Sequence, residues 1–293
     1  MIKAQLRRAA TLPALVLAVM LATVHGLALA GDAGQKLDAI LADQPDQVKA
    51  RYEWRHPAET LRFFGIEPGM TVVEGLPGAG WYSKLLIPYL GKDGHLVGAN
   101  YAFSMWPLFG FFSEERIEEF RTWETDWPVG AQEWRGEDGA EVSAFIFGSM
   151  PEKLNGTADA VLMIRALHNL NRFEDEGGYL THALRDIHNV LKPGGTLGVV
   201  QHEAPADNPD AWADGSAGYL KKAQLVERIE AAGFELVAES DINENPKDQP
   251  TAEDIVWRLP PTFATSGDNP ELRAQMEAIG ESNRMTLKFR KKS

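Results

Sequence analysis

The chain contains no cysteine among its 293 residues. That absence excludes disulfides, cysteine-ligated zinc or iron–sulfur centres and thiol nucleophiles. Positive charge is also scarce, with 29 Lys and Arg against 42 Asp and Glu and a formal charge of −13. Nucleic acid is therefore not expected as a partner, because phosphate binding rests on clustered Lys and Arg. Glycine (27) and proline (17) are not in excess, which excludes collagen-like and wholly disordered chains. No His-x-x-x-His spacing occurs among the seven histidines, so no metal site is expected. What remains is the 44% hydrophobic content of an ordinary globular protein, long enough to bury a substantial core.

The first thirty residues differ from the rest. Lys3, Arg7 and Arg8 precede an apolar run from about Ala9 to Val24, and the segment closes on Ala28-Leu29-Ala30. A basic start, an apolar middle and an A-x-A end predict a secretory signal peptide cleaved after Ala30. An uncleaved membrane anchor is the alternative, since the run approaches the ~20 residues a span needs. Pro13, His25 and the small residues at the exit favour cleavage, and hence a periplasmic or secreted protein without stable membrane insertion. Loss of three basic residues and no acid would bring the charge to −16.

Beyond Gly31, strand-like and helix-like segments alternate. Residues 34–50 read as helical with a break at Pro45, and Pro57 opens a short helix over Ala58–Phe64 that Gly65 ends. Apolar, β-branched runs predict strands at Met70–Glu74, His95–Ala99, Val142–Phe147, Ala160–Ile164, Thr196–Gln201, Phe234–Glu239 and Met285–Phe289. Helices are expected at Trp81–Leu90, Gly178–Leu191 and Leu220–Ala232. This alternation predicts a single α/β domain over 31–293, its sheet mostly parallel and covered by helices on both faces. Residues 31–69 form N-terminal helices in this reading. Residues 101–135 form an insertion holding ten of the chain's 27 aromatics, either a cap over a pocket or simple packing. Residues 241–281 read as a long ordered loop.

Chemistry is concentrated at Glu74-Gly75-Leu76-Pro77-Gly78-Ala79-Gly80, between the first strand and the next helix. Glycines there let the backbone approach a ligand, and the following helix end offers N–H groups. A dinucleotide fold places an acid about 20 residues later, at the end of the second strand. Here that position is Asn100, and the acid Glu74 closes the first strand instead.

This arrangement resembles the first motif of class I S-adenosylmethionine-dependent methyltransferases, an acid followed by spaced glycines. Val190-Leu191-Lys192-Pro193-Gly194-Gly195-Thr196-Leu197 resembles that family's turn before its fifth strand. Ala158-Asp159-Ala160-Val161-Leu162-Met163 is similar to its fourth strand. Outside these motifs, Arg55-His56-Pro57, Phe63-Phe64-Gly65-Ile66-Glu67-Pro68-Gly69-Met70, Trp81-Tyr82, Ala166-Leu167-His168-Asn169 and Arg284 to Lys291 resemble a bacterial group of predicted methyltransferases with signal peptides. The resemblance implies a Rossmann-like sheet with a final antiparallel strand, S-adenosylmethionine as cofactor, and a small-molecule acceptor. It places Glu74, Gly75, Pro77, Gly78, Gly80, Trp81, Asn100 and Ser149 around the cofactor. Leu76 stands where the family's first glycine usually falls, Asn100 replaces the ribose-binding acid, and Ser149 replaces an acid near adenine.

In that fold the acceptor approaches beside the fourth and fifth strands. His168 and His202 follow those strands and are the candidate catalytic pair, able to take a proton from an O–H or N–H nucleophile. With an ordinary imidazole, such a rate would rise through pH 6 to 7. Hydrogen-bonded structural histidines, or a metal site completed by Glu203, are the alternatives. Arg55 and His56 either close over the site or pair with acids such as Glu59. Methyl transfer is the leading expectation. An exported, non-catalytic ligand-binding protein on the same fold is the second, and a nicotinamide-dependent oxidoreductase is disfavoured by the position of Glu74.

The signal-peptide reading has a direct check. Mass spectrometry of protein recovered from the periplasm should find Gly31 at the amino terminus; an intact Met1 would make the segment an anchor.

Overall fold

A computed structural model describes residues 31–292, so the predicted export segment lies outside the described residues. Seven strands form one sheet: β1 (Thr71–Gly75), β2 (His95–Asn100), β3 (Glu141–Ile146), β4 (Ala158–Ile164), β5 (Leu191–His202), β6 (Phe234–Ser240) and β7 (Arg284–Lys291). Their order is β3-β2-β1-β4-β5-β7-β6. β1 to β5 pair in parallel, while β7 runs antiparallel between β5 and β6. The order of successive strands reverses between β1 and β4, and α/β folds of this type bind ligands beyond the carboxyl ends of the strands at that switch.

Both faces of the sheet are covered, as near-continuous apolar strands require. Successive strand residues point to opposite faces, so Val72 joins one core and Val73 the other. Val73, Val161 and Leu197 pack with the helices Tyr179–Val190 and Lys222–Ala231. Val72, Leu96 and Leu162 pack with Pro57–Phe64 and Ser83–Leu90. Residues 31–42 and Asp46–Lys49 are separate helices on either side of Pro45.

The Lys192–Gly195 segment bulges rather than turns. Leu191 pairs with Ala158 and Thr196 with Ala160, so the four residues between them loop out of the ladder, with Gly194 at φ +73°. The aromatic stretch after β2 is the crossover to β3, and its rings divide between the two cores. Trp106 stacks on Phe120 at 3.8 Å and Phe109 meets Phe173 at 5.1 Å on one face. On the other, Trp127 lies over Gly98, where a Cβ would come within 2.6 Å of its ring. Most of these rings pack against one core or the other, whereas Phe111 is 71% exposed.

Residues 241–281 carry more regular structure than a loop. A helix spans Pro270–Ile279, with the Asn269 side chain capping Leu272 N. It has no fully buried residue, although Leu272, Met276 and Ile279 recur at helical spacing and are half-buried. The preceding segment is pinned by Asp248, 2% exposed, which accepts from Arg258 at 2.7 Å, from Tyr219 Oη at 3.0 Å and from Asn283 N at 2.9 Å. No helix among the described residues is long and apolar enough to cross a membrane.

Asp248→Ala would leave the buried Arg258 guanidinium with only the half-exposed Asp254, 3.3 Å from its Nε, and would take the acceptor from Tyr219 Oη and Asn283 N. Stability in urea should fall by about 3–5 kcal/mol. The double change Asp248→Leu, Arg258→Met should recover part of that loss, because no buried unpaired charge then remains and Asp254 is open to solvent.

Candidate functional site

At the end of β1 the chain turns sharply to reach the helix Ser83–Leu90. Leu76 adopts φ +55°, Gly78 φ +55° and Gly80 φ +75°. Leu76 thus holds the left-handed backbone that glycine adopts without strain, at a cost of about 1–2 kcal/mol. Its N–H donates to Ala99 O at 2.7 Å, and its side chain packs on the core. The three glycines differ in what confines them. A Cβ on Gly75 would collide with Met163 Sδ, and one on Gly80 with the Trp134 ring. A Cβ on Gly78 would meet no atom closer than Leu76 O at 3.9 Å. Gly75 and Gly80 therefore serve packing, and Gly78 faces open space.

Glu74 is 5% exposed and accepts a 2.6 Å hydrogen bond from Ser83 Oγ. Burial pushes its carboxyl up to about 7, against the opposing pull of Ser83. It is therefore part protonated at neutral pH.

A pocket of about 510 Å³ opens beside this loop. Leu76 to Ala79 and Trp81 form one wall, and Ile164, Arg165, His168 and Asn169, after β4, form the next. His202, at the end of β5, closes the floor with Ser282. Trp257 and Pro260 to Thr262 reach in from the long segment before β7, and Arg51 and Arg55 from the N-terminal helices.

The two histidines predicted from opposite parts of the chain do meet. Their rings lie 5.5 Å apart. His202 Nδ1 is 2.5 Å from Ser282 Oγ, and the Gln201 side-chain amide is 3.4 Å from His168 Nδ1. Neither Nε2 has a hydrogen-bond partner among the described residues. Burial drives His168 down to about 4, and burial with the neighbouring His168 drives His202 well below its ordinary value. Both imidazoles are neutral at neutral pH, so the titration expected between pH 6 and 7 moves to lower pH.

Of the remaining predicted residues, Trp81 lines this pocket and Glu74, Gly75, Gly80, Asn100 and Ser149 do not. Asn100, at the end of β2, is 7% exposed; its Oδ1 accepts from Tyr101 N at 2.8 Å, and its Nδ2 has no partner among the described residues. Ser149 is exposed after β3, with its hydroxyl donating to Ile146 O at 3.2 Å. Glu74, Gly75 and Gly80 shape the loop from behind. Trp81 lies under the Arg55 guanidinium at 4.5 Å.

Arg55 pairs not with Glu59 but with Glu281, Nε to Oε1 at 3.2 Å. Arg51, Arg165 and Arg284 converge on the same carboxylate. Sequence reasoning missed this cluster. The one local signal was Arg165, a charged residue directly following an apolar strand at the sheet's ligand-binding edge.

No family model and no curated protein matches the chain. Among solved structures, the cyclase SpnF is 18% identical, covers 81% of each chain and superposes with a TM-score of 0.50. A SAM-dependent methyltransferase from Aquifex aeolicus is 19% identical over 68% of this chain and 93% of its own, with a TM-score of 0.45. A Burkholderia thailandensis N1-methyltransferase solved with S-adenosylhomocysteine is 13% identical over 98% and 94%, with a TM-score of 0.44. At these identities the likeness is one of fold. By its strand order and its final antiparallel strand the sheet is Rossmann-like, as expected.

The buried imidazole sets the sign of a pH effect. Below about pH 6.5 the unfolded chain binds a proton at His168 that the native state refuses down to about pH 4. Native stability should therefore fall across that window relative to His168→Gln, by up to about 3 kcal/mol at pH 4. Denaturation of both proteins at several pH values checks this; parallel curves would assign His168 an ordinary pKa.

Proposed function

We propose that the protein transfers a methyl group from S-adenosylmethionine to a small-molecule acceptor, and that it works after export, outside the cytoplasm. The observation that carries this reading is the pocket joining Gly78, the open glycine of the loop, to His168 and His202. The cofactor's sulfonium supplies a methyl group activated toward nucleophiles.

The loop fits such a ligand, because the space a Cβ would take at Gly78 is open. Pro77 and Gly78 would form the cradle, with Trp81 as a wall and Glu74, Gly75 and Gly80 shaping the loop behind them. Asn100 Nδ2 is available to a hydroxyl acceptor, and Ser149 would stand at the far end. On the acceptor side, a neutral imidazole can accept a proton from an O–H or N–H nucleophile at Nε2. Ser282 and Gln201 hold the other ring nitrogens and so orient the rings. Alignment of acceptor and donor in a partly enclosed pocket accounts for the rest.

One observation and one expectation favour a second reading, a ligand-binding protein without turnover. The Trp134 ring fills the space beside Gly80, and the predicted export removes the protein from the cytoplasmic cofactor supply. Calorimetric titration with S-adenosylmethionine, S-adenosylhomocysteine and NAD separates the readings from each other and from an oxidoreductase.

Gly78→Val places a branched side chain in the pocket on a left-handed backbone. It should abolish binding of S-adenosylhomocysteine while the circular dichroism spectrum stays native. Unchanged affinity would remove the loop from the site. His168→Ala and His202→Ala should keep that affinity within a few-fold and lower turnover on an identified acceptor by about 10²–10⁴.

A further inference from the structure

Four guanidinium groups share one carboxylate beside the pocket. Glu281 accepts from Arg51 and lies 3.2 Å from Arg55 Nε, 3.2 Å from Arg284 Nη2 and 3.9 Å from Arg165 Nη1. Among the described residues no other carboxylate lies within 4 Å of any of them. Three positive charges are therefore unmatched at one spot in a chain whose total is −13. Arg55 and Arg284 are 5% and 2% exposed, so water cannot fully solvate the excess. Buried charges without counter-charges are costly, and such an imbalance persists where a ligand brings the opposite sign.

Arg165 is the least satisfied of the four. Its Nε is buried with no partner, and its guanidinium makes no hydrogen bond among the described residues. Its backbone sits at φ +57°, an unusual conformation for a long side chain and one met most often where function holds it. About a quarter of the side chain, 27%, remains exposed where it lines the pocket. Burial, and then repulsion from Arg284, lowers its pKa to about 10, so the group stays charged at neutral pH.

The position of this charge selects the acceptor side. Arg165 is three residues before His168, and its field lowers the pKa of both His168 and His202. Arg51 and Arg55 line the same pocket from the N-terminal helices and meet Arg165 at Glu281, with Arg55 over Trp81. A guanidinium fork presents paired donors that match a carboxylate or phosphate.

We propose that Arg165, with Arg51 and Arg55, forms the seat for an anionic group of the acceptor, so that the substrate is a small carboxylate or phosphate-bearing compound. The inference rests on the methyl-transfer reading for the word acceptor, but the anion seat stands on the arginine cluster alone. The same chemistry could be met by the carboxylate of the cofactor's methionine moiety, and the test separates the two sources.

The whole protein is titrated calorimetrically with benzoate, inorganic phosphate and neutral benzamide, with and without saturating S-adenosylhomocysteine. At least one of the two anions should bind the parent, and benzamide should bind far more weakly. Arg165→Gln should weaken the anion by roughly 10- to 100-fold, the worth of a charge-assisted hydrogen bond. Its ligand-free melting temperature should be equal to or above that of the parent, because a like charge has been removed; this also shows that the variant folds. Retained anion affinity in the presence of S-adenosylhomocysteine supports the acidic acceptor. Displacement of the anion by S-adenosylhomocysteine but not by adenosine assigns the seat to the cofactor's carboxylate and overturns the proposal. So does the absence of anion binding by the parent in either state. Anion binding without any S-adenosylhomocysteine binding would keep the seat and bring down the methyl-transfer reading instead.

Discussion

Glu281 is the point on which the candidate site depends. Its carboxylate ties together the N-terminal helices through Arg51 and Arg55, the end of β4 through Arg165, and the start of β7 through Arg284. These partners come from sequence positions up to 230 residues away. Burial alone would raise the carboxyl's pKa, but the surrounding arginines outweigh it and hold the group ionised. Without that anion the four guanidiniums would repel one another, and the wall between helices and sheet would open. The neighbouring Ser282 holds His202, so the same turn also orients a candidate base.

The glycine loop illustrates how one motif divides between packing and ligand access. Gly75 and Gly80 are small because Met163 and Trp134 already occupy the space beside them. Leu76 takes up a left-handed backbone that glycine would hold without strain, and its apolar packing offsets the cost. Gly78 alone of the four points to open space. A departure from the expected glycine pattern thus leaves the backbone path intact, because the path is held by the Leu76 N–H bond to Ala99 O and by the core.

Charge is distributed against the average. An acidic chain carries a basic pocket whose two histidines are kept neutral by burial and by the arginines around them. A neutral imidazole beside fixed positive charge is poised to accept a proton at neutral pH, though its low pKa limits how strongly it pulls. Glu74 shows the opposite shift on the loop side, where burial favours its neutral form. Both shifts follow from exclusion of water at one edge of the sheet.

Much of this was legible in the chain itself. The α/β alternation, the strand positions to within a few residues and the glycine turn after β1 all follow from local physics: period, β-branching, and glycine or proline punctuation. His168 and His202 could be placed beside each other because each follows a strand, and parallel neighbours bring their carboxyl ends together. The helix Pro270–Ile279 was not recognised, although Leu272, Met276 and Ile279 recur at helical spacing, because a three-residue stripe is short beside the Asn-, Asp-, Glu- and Pro-rich stretch around it. Nor was the division of the aromatic crossover between two cores. The Arg51–Arg55–Arg165–Arg284 cluster around Glu281 was decided by the tertiary structure, as were the downward pKa shifts of the histidines. Both arise from burial and from contacts between distant segments, and no local spacing encodes which charges the folded chain will bring together.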